Sequence, residues 1–174
     1  TVVITTSRLV PKNGIADLIK SMSFLPESVH MVVVGDGELR NNLESLVEKL
    51  GINKRVHFVG QVDNSNLQKY LWASNIFCRP SLSEGQGIAF LEAMAAEVPV
   101  IATKVGGIPD FLFDKKTGIF CETKDPKDIA KKIMLLKGNE SLRSALIDNA
   151  KENVRENYMW ESISKDMEGI FKKI

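Results

Sequence analysis

The sequence predicts an α/β protein: a three-layer α/β/α domain on an open, mostly parallel sheet of about six strands. Two observations predict it. Short β-branched or apolar runs alternate with stretches of helical periodicity about six times along the chain. Several of the strand-like runs end in turns rich in glycine or basic residues, which is where such sheets hold ligands. A length of 174 residues suits one domain with a sizeable core, and the 44% hydrophobic and 26% charged composition is ordinary for a globular protein.

Val2 to Thr6 is β-branched and reads as a buried strand. A loop from Ser7 to Gly14 carries Arg8 and Lys12, and Ile15, Leu18, Ile19 and Met22 then form a helical stripe. His30 to Val34 is the second strand; the Gly35-Asp36-Gly37 after it is what an ordinary turn also provides. Glu38 to Leu50 reads as a helix with Leu39, Leu43, Leu46, Val47 and Leu50 on one face, stopped by Gly51. Val56 to Val59 is the third strand, running into Gly60, Gln61 and Val62; His57, between Val56 and Phe58, reads as a structural strand residue. Asp63 or Asn64 stands where a cap is needed for a helix whose Leu67, Tyr70, Leu71 and Trp72 read as core.

Asn75 to Arg79 is the fourth strand, Val98 to Ala102 the fifth and Gly118 to Cys121 a sixth, edge-like one. Between the last two, Thr103 to Gly107 is a glycine loop suited to a hinge or to packing, and Ile108 to Phe113 a short helix. Asp125-Pro126 opens a helix that continues through Ile129, Ile133 and Leu136. Further helices cover roughly Ser141 to Asn157 and Trp160 to Lys173.

The most informative stretch is Ser81 to Ala96. It opens polar, with Glu84, Gly85, Gln86 and Gly87, and continues from Ile88 to Ala96 with Glu92 as its one polar residue. That second half reads as a helix packed over most of its surface. Glu92 shares a face with Ile88 and Ala95, and a carboxylate on a buried face needs a partner; a structural ion pair with Arg79 or Lys104 is one explanation. The glycines allow close backbone approach, and the free N–H groups at the helix start suit a phosphate.

Other chemistries find little support. A net charge of +1 calls for no nucleic acid, and the C-terminal lysines, mixed with acids, read as a solvated face. No apolar run reaches the length of a membrane span. Cys78 and Cys121 read as reduced core thiols, which fits a cytoplasmic setting. The GxGxxG and Walker A patterns are absent, as are HExxH and CxxC, so no metal site is expected. Thr1 is not a natural start, and the chain reads as a piece of a longer protein.

The segment SEGQGIAFLEAMA, with seven residues between its two glutamates, resembles the nucleotide-sugar site of the retaining GT-B glycosyltransferases of the family-four, or group 1, type. Met159-Trp160-Glu161 is similar to the aromatic lead into that family's last helix. The resemblance covers nearly the whole chain. It implies a Rossmann-like domain forming the C-terminal, donor-binding half of a GT-B fold, with the N-terminal acceptor domain absent from these 174 residues. It further implies metal-independent glycosyl transfer from a UDP- or GDP-linked sugar to a saccharide or lipid-linked acceptor, with no separate cofactor. The setting would be cytoplasmic, with peripheral contact at the inner membrane face through the missing half.

By the same resemblance Arg8 and Lys12 would stabilise the departing diphosphate, aided by amides around Gly87 and Ile88. Glu92 would accept from the ribose hydroxyls and Glu84 would face the donor sugar. Gly85, Gln86 and Gly87 would hold sugar hydroxyls through their backbone, and the backbone of Val62 would meet the base. Two positions depart from the family pattern: Asn13 stands where a lysine is usual, with Lys12 one residue early, and Gln86 replaces a common aromatic. A sugar-nucleotide epimerase of the same fold and a non-catalytic nucleotide-sugar-binding module are the alternative readings. A nicotinamide-binding domain ranks last for want of its glycine pattern.

Overall fold

β-branched and apolar runs become strands because their side chains alternate between two covered faces. The computed structural model describes residues 1–172. Its strands are β1 (Val2–Thr6), β2 (His30–Val34), β3 (Val56–Gly60), β4 (Ile76–Arg79), β5 (Val100–Thr103) and β6 (Ile119–Cys121). They form one sheet in the order β3-β2-β1-β4-β5-β6, and every pairing is parallel. The alternation is visible residue by residue: Val3, Ile76, Cys78 and Ile101 face one core cluster, whereas Ile4, Phe77, Val100 and Ala102 face the other.

Helices cover both faces. On the first lie α1 (Ile15–Ser21), α2 (Arg40–Lys49) and α5 (Pro126–Gly138), burying Leu18, Leu43, Val47, Ile129 and Ile133. On the second lie α3 (Asn64–Trp72), α4 (Ile88–Ala95) and α6 (Glu140–Asn157), burying Leu71, Phe90, Met94, Ala150 and Val154. A last helix, α7, runs from Trp160 to Phe171; the expected end at Lys173 lies outside the described residues. The start at Asp125 is as the sequence predicts: its carboxylate accepts from the Lys127 and Asp128 N–H groups, with Pro126 in the first turn.

Several details differ from expectation. β5 begins at Val100 rather than Val98; Pro99 has no N–H for the ladder, although its carbonyl accepts from the Phe77 N–H at 2.9 Å. Asp63 occupies the N-cap of α3 but makes no side-chain capping bond. Trp72 is 65% exposed, not core, because Leu71 one position earlier already points at the sheet. Ile108–Asp110 is a single 3-10 turn.

Starting from β1 the chain adds β2 and β3 on one side, then returns to add β4, β5 and β6 on the other. The direction of winding therefore reverses between β1 and β4. In such sheets the loops leaving the two strands diverge there and open a crevice at the strand C-terminal ends.

Candidate functional site

A cleft of about 510 Å³ opens at that reversal. Arg8 reaches it from the loop after β1, Asp36 from the end of β2, Val62 from beyond β3, and Arg79 from the last position of β4; Ile88 and Glu92 complete it from α4. Four residues predicted from the sequence, Arg8, Val62, Ile88 and Glu92, are thus brought to one place from three distant stretches.

The first wall depends on two turns meeting backbone to backbone. Gly35 has φ +125°, and a Cβ there would lie 2.0 Å from the Ser7 carbonyl oxygen, so only glycine lets the turns close. The Ser7 N–H donates to Val34 O at 3.0 Å and the Leu9 N–H to Asp36 O at 2.9 Å, which seats Asp36 beside Arg8. The Gly-Asp-Gly signal is present in the sequence, but it does not distinguish a site from any other turn. Arg8 itself is exposed, whereas Asn13 is buried and its side-chain amide donates to the Arg8 carbonyl at 2.7 Å.

Lys12 is not among the cleft-lining residues. It stands on a short 3-10 turn, Pro11–Asn13, with its side chain exposed. Its backbone ties the first loop to the glycine-rich turn, because the Lys12 carbonyl accepts from the N–H groups of Leu82 at 2.7 Å and Ser83 at 3.4 Å.

The α4 helix does not bury the face that carries Glu92. Phe90, Ala93 and Met94 pack on the sheet, whereas Ile88 is 59% exposed and lines the cleft with Glu92. Glu92 and Ala95 border a second groove of about 300 Å³ between α3 and α4. Ile88 and Ala95 are apolar and suggest a core face, but the larger Phe90 and Met94 take the sheet side. Glu92 forms no ion pair among the described residues. Partial burial pushes its carboxyl above the usual range, with the nearby Arg79 charge opposing.

Arg79 pairs instead with Glu84, so the alternative of a structural ion pair between Arg79 and Glu92 does not hold. Glu84 lies outside the cleft lining but is joined to it through Arg79. Gly85 and Gln86 are exposed on the turn, and Gly87, at φ +74°, is the N-cap of α4. The helix begins with no capping side chain; the Phe90 N–H donates to Gly87 O at 3.0 Å, and the Ile88 and Ala89 N–H groups remain available to an anion. The glycine loop after β5 packs under the turn: a Cβ on Gly106 would lie 1.8 Å from the Glu84 carbonyl oxygen, and the Gly107 N–H donates to Gly85 O at 3.2 Å.

Buried polar atoms without partners gather at this end of the sheet. They are the hydroxyls of Thr5, Thr6, Ser7 and Ser81 and Nε of Arg79, all at or just past the ends of β1 and β4. Such atoms are costly in an interior unless an ordered water or a polar ligand meets them. Among the described residues no three His, Cys, Asp or Glu side chains form a metal-binding group, and no helix is long and apolar enough to cross a membrane.

Comparison with known proteins agrees with this layout. The family model described as "Glycosyl transferases group 1" matches residues 1–153. An uncharacterised glycosyltransferase of Methanocaldococcus jannaschii is 33% identical over 172 residues, covering 98% of this chain and 44% of that protein. The chain therefore spans under half the length of that relative. Among solved structures, Anabaena HepE in complex with UDP superposes with a TM-score of 0.93 at 22% identity, over 99% of this chain and 49% of that one. A variant of S. aureus TarM in complex with fondaparinux, alpha-GlcNAc-glycerol and UDP superposes with a TM-score of 0.88 at 29% identity, over 98% of this chain and 35% of that one.

Proposed function

Since this chain belongs to the group 1 glycosyl transferases, we propose that it binds the donor in an enzyme that moves a sugar from a nucleoside diphosphate to a saccharide or lipid-linked acceptor. The observation that carries the reading is the convergence of Arg8, Val62, Ile88 and Glu92 on one cleft at the sheet's reversal point. The UDP held by HepE and TarM supports a uridine donor.

In this reading Arg8 faces the diphosphate, and the uncapped N-terminus of α4 presents its amides to the same charge. Charge on the departing group is met by these fixed dipoles and cations, so the reaction proceeds without a metal. Lys12, exposed at the rim, adds a mobile cation. Glu92 accepts from the ribose hydroxyls, and the backbone of Val62 contacts the base. Glu84 and the Gly85–Gly87 backbone address the sugar, which is transferred with retention of configuration. A second α/β domain outside this sequence faces the cleft and supplies the acceptor site, in keeping with relatives about twice as long. Contact with the inner face of a membrane belongs to that other half.

The test is calorimetric titration of this chain with UDP, GDP and ADP in buffer containing EDTA, with Glu92→Ala and Arg8→Ala beside the wild type. Saturable binding of one nucleotide, weakened by each substitution by about tenfold or more, supports the reading. Binding by none of the three, both in this chain and in the whole protein that carries it, overturns it.

A further inference from the structure

Arg79 is a guanidinium at the last position of a central parallel strand, with only 7% of its side chain exposed. Three contacts fix it. One terminal nitrogen donates to a carboxylate oxygen of Glu84, the other donates to the Thr6 carbonyl at 3.2 Å, and the guanidinium carbon sits 4.3 Å from the centre of the Phe90 ring. The second carboxylate oxygen of Glu84 accepts from the Gly85 N–H at 3.1 Å. Both oxygens are therefore held, one from the strand and one from the turn.

Stability gives a poor account of this arrangement. A buried ion pair loses much of its attraction to desolvation, and an apolar side chain of similar volume commonly serves as well. What the pair does provide is geometry. Arg79 lines the cleft and Glu84 does not, so the pair links the cleft wall to the polar turn in front of α4.

We propose that Arg79 is a positioning residue that clamps Glu84, and with it the Ser81–Gly87 turn, in the arrangement that receives the sugar of the donor. The inference rests on the donor-site reading above. The planar fork of Arg79 fixes the direction of the carboxylate, and its stack on Phe90 fixes the fork. Loss of the clamp releases the turn while leaving Arg8 and Glu92 in place for the nucleotide.

The experiment uses Arg79→Met, Arg79→Lys, Glu84→Ala and the Arg79→Met/Glu84→Ala double variant. Each is titrated with UDP and UDP-glucose, and with GDP and GDP-mannose. Amide exchange is followed without ligand at Leu82, Ser83 and Gly107, whose N–H groups donate to Lys12 and Gly85 carbonyls and so report the turn's seating. In Arg79→Met the extra affinity for the sugar-bearing nucleotide over the bare diphosphate falls by about tenfold, and bare diphosphate affinity by far less. Exchange at the three amides quickens by about tenfold or more. Arg79→Lys restores part of both, and the double variant is no worse than Glu84→Ala alone. Unchanged exchange in Arg79→Met, effects of the two substitutions that multiply, or equal losses for bare and sugar-bearing nucleotide overturn the proposal. If neither the wild-type chain nor the whole protein that carries it binds a nucleotide, the donor-site reading falls, and the exchange experiment still decides the clamp. If Arg79→Met does not fold, Glu84→Ala removes the same clamp from the turn's side and decides it on the same amides.

Discussion

The side-chain amide of Asn13 donates a 2.7 Å hydrogen bond to the carbonyl oxygen of Arg8, two positions facing each other across one loop. The residue that departs from the family pattern thus holds in place the residue that keeps to it. Asn13→Ala removes one of the two hydrogen bonds that the Arg8 carbonyl accepts, the other coming from the Val10 N–H at 3.0 Å, and destabilisation by about 0.5–1.5 kcal/mol is expected in urea unfolding. UDP affinity should fall as well, since the loop that carries Arg8 loosens. Asn13→Lys is expected to lose stability rather than gain affinity, because position 13 is 5% exposed and points inward.

Glu92 gives a pH dependence with a definite sign. Burial raises its folded pKa above the unfolded value. The folded state therefore holds the proton more tightly, and that stabilising contribution is complete below the unfolded value of about 4.3 and lost as pH rises through the folded value. The wild type should accordingly be less stable than Glu92→Gln at neutral pH, with the gap closing on acidification through that window. Nucleotide affinity should move the opposite way, falling as Glu92 takes up its proton. Urea midpoints and titrations at stepped pH check both; a gap independent of pH would contradict the assignment.

Gly106 and Gly85 make a matched pair. At Gly106 an added Cβ strikes the Glu84 carbonyl and φ is +54°, whereas at Gly85 nothing lies within 4 Å. Gly106→Ala should cost more than about 2 kcal/mol and displace the turn, with loss of donor binding. Gly85→Ala should leave the unfolding free energy within about 0.5 kcal/mol of the wild type.

Phe90 is fully buried, 5.4 Å from Phe77 and 6.0 Å from Phe111 between ring centres, and lies beneath Arg79. Phe90→Ala should destabilise the domain by about 3–5 kcal/mol. Phe90→Leu should recover most of that stability, yet leave Arg79 without its aromatic support. Unfolding curves beside donor titrations separate the two effects.

Most of the architecture was legible because strand and helix periods are strong signals over whole segments. All six strands and the α-helices fall where the residues place them, with boundaries shifted by a position or two, whereas the short helix expected over Ile108 to Phe113 is a single 3-10 turn. The convergence of Arg8 and Glu92 was legible only through the resemblance, since the residues between them carry no sign of which loops meet. Periodicity placed Ile88, Glu92 and Ala95 together but could not say which face meets the sheet, and the bulkier Phe90 and Met94 decided that. The partner of Arg79 was not legible for a similar reason. Glu84, five residues away, folds back on it through a turn whose course depends on Gly106 far along the chain. Trp72 shows the limit of reading apolar residues as core when a neighbour already fills the interior.

The turns at this end of the sheet touch main chain to main chain, Gly35 against Ser7 and Gly106 against Glu84. Contacts of that kind leave little slack for an inserted or deleted residue, because one added peptide unit would drive the two turns apart and carry their neighbours with them. Variation at this end of the sheet is therefore confined to exchange of side chains. Changes of loop length belong elsewhere, as at Gly51 after α2, where an added side chain would meet open space.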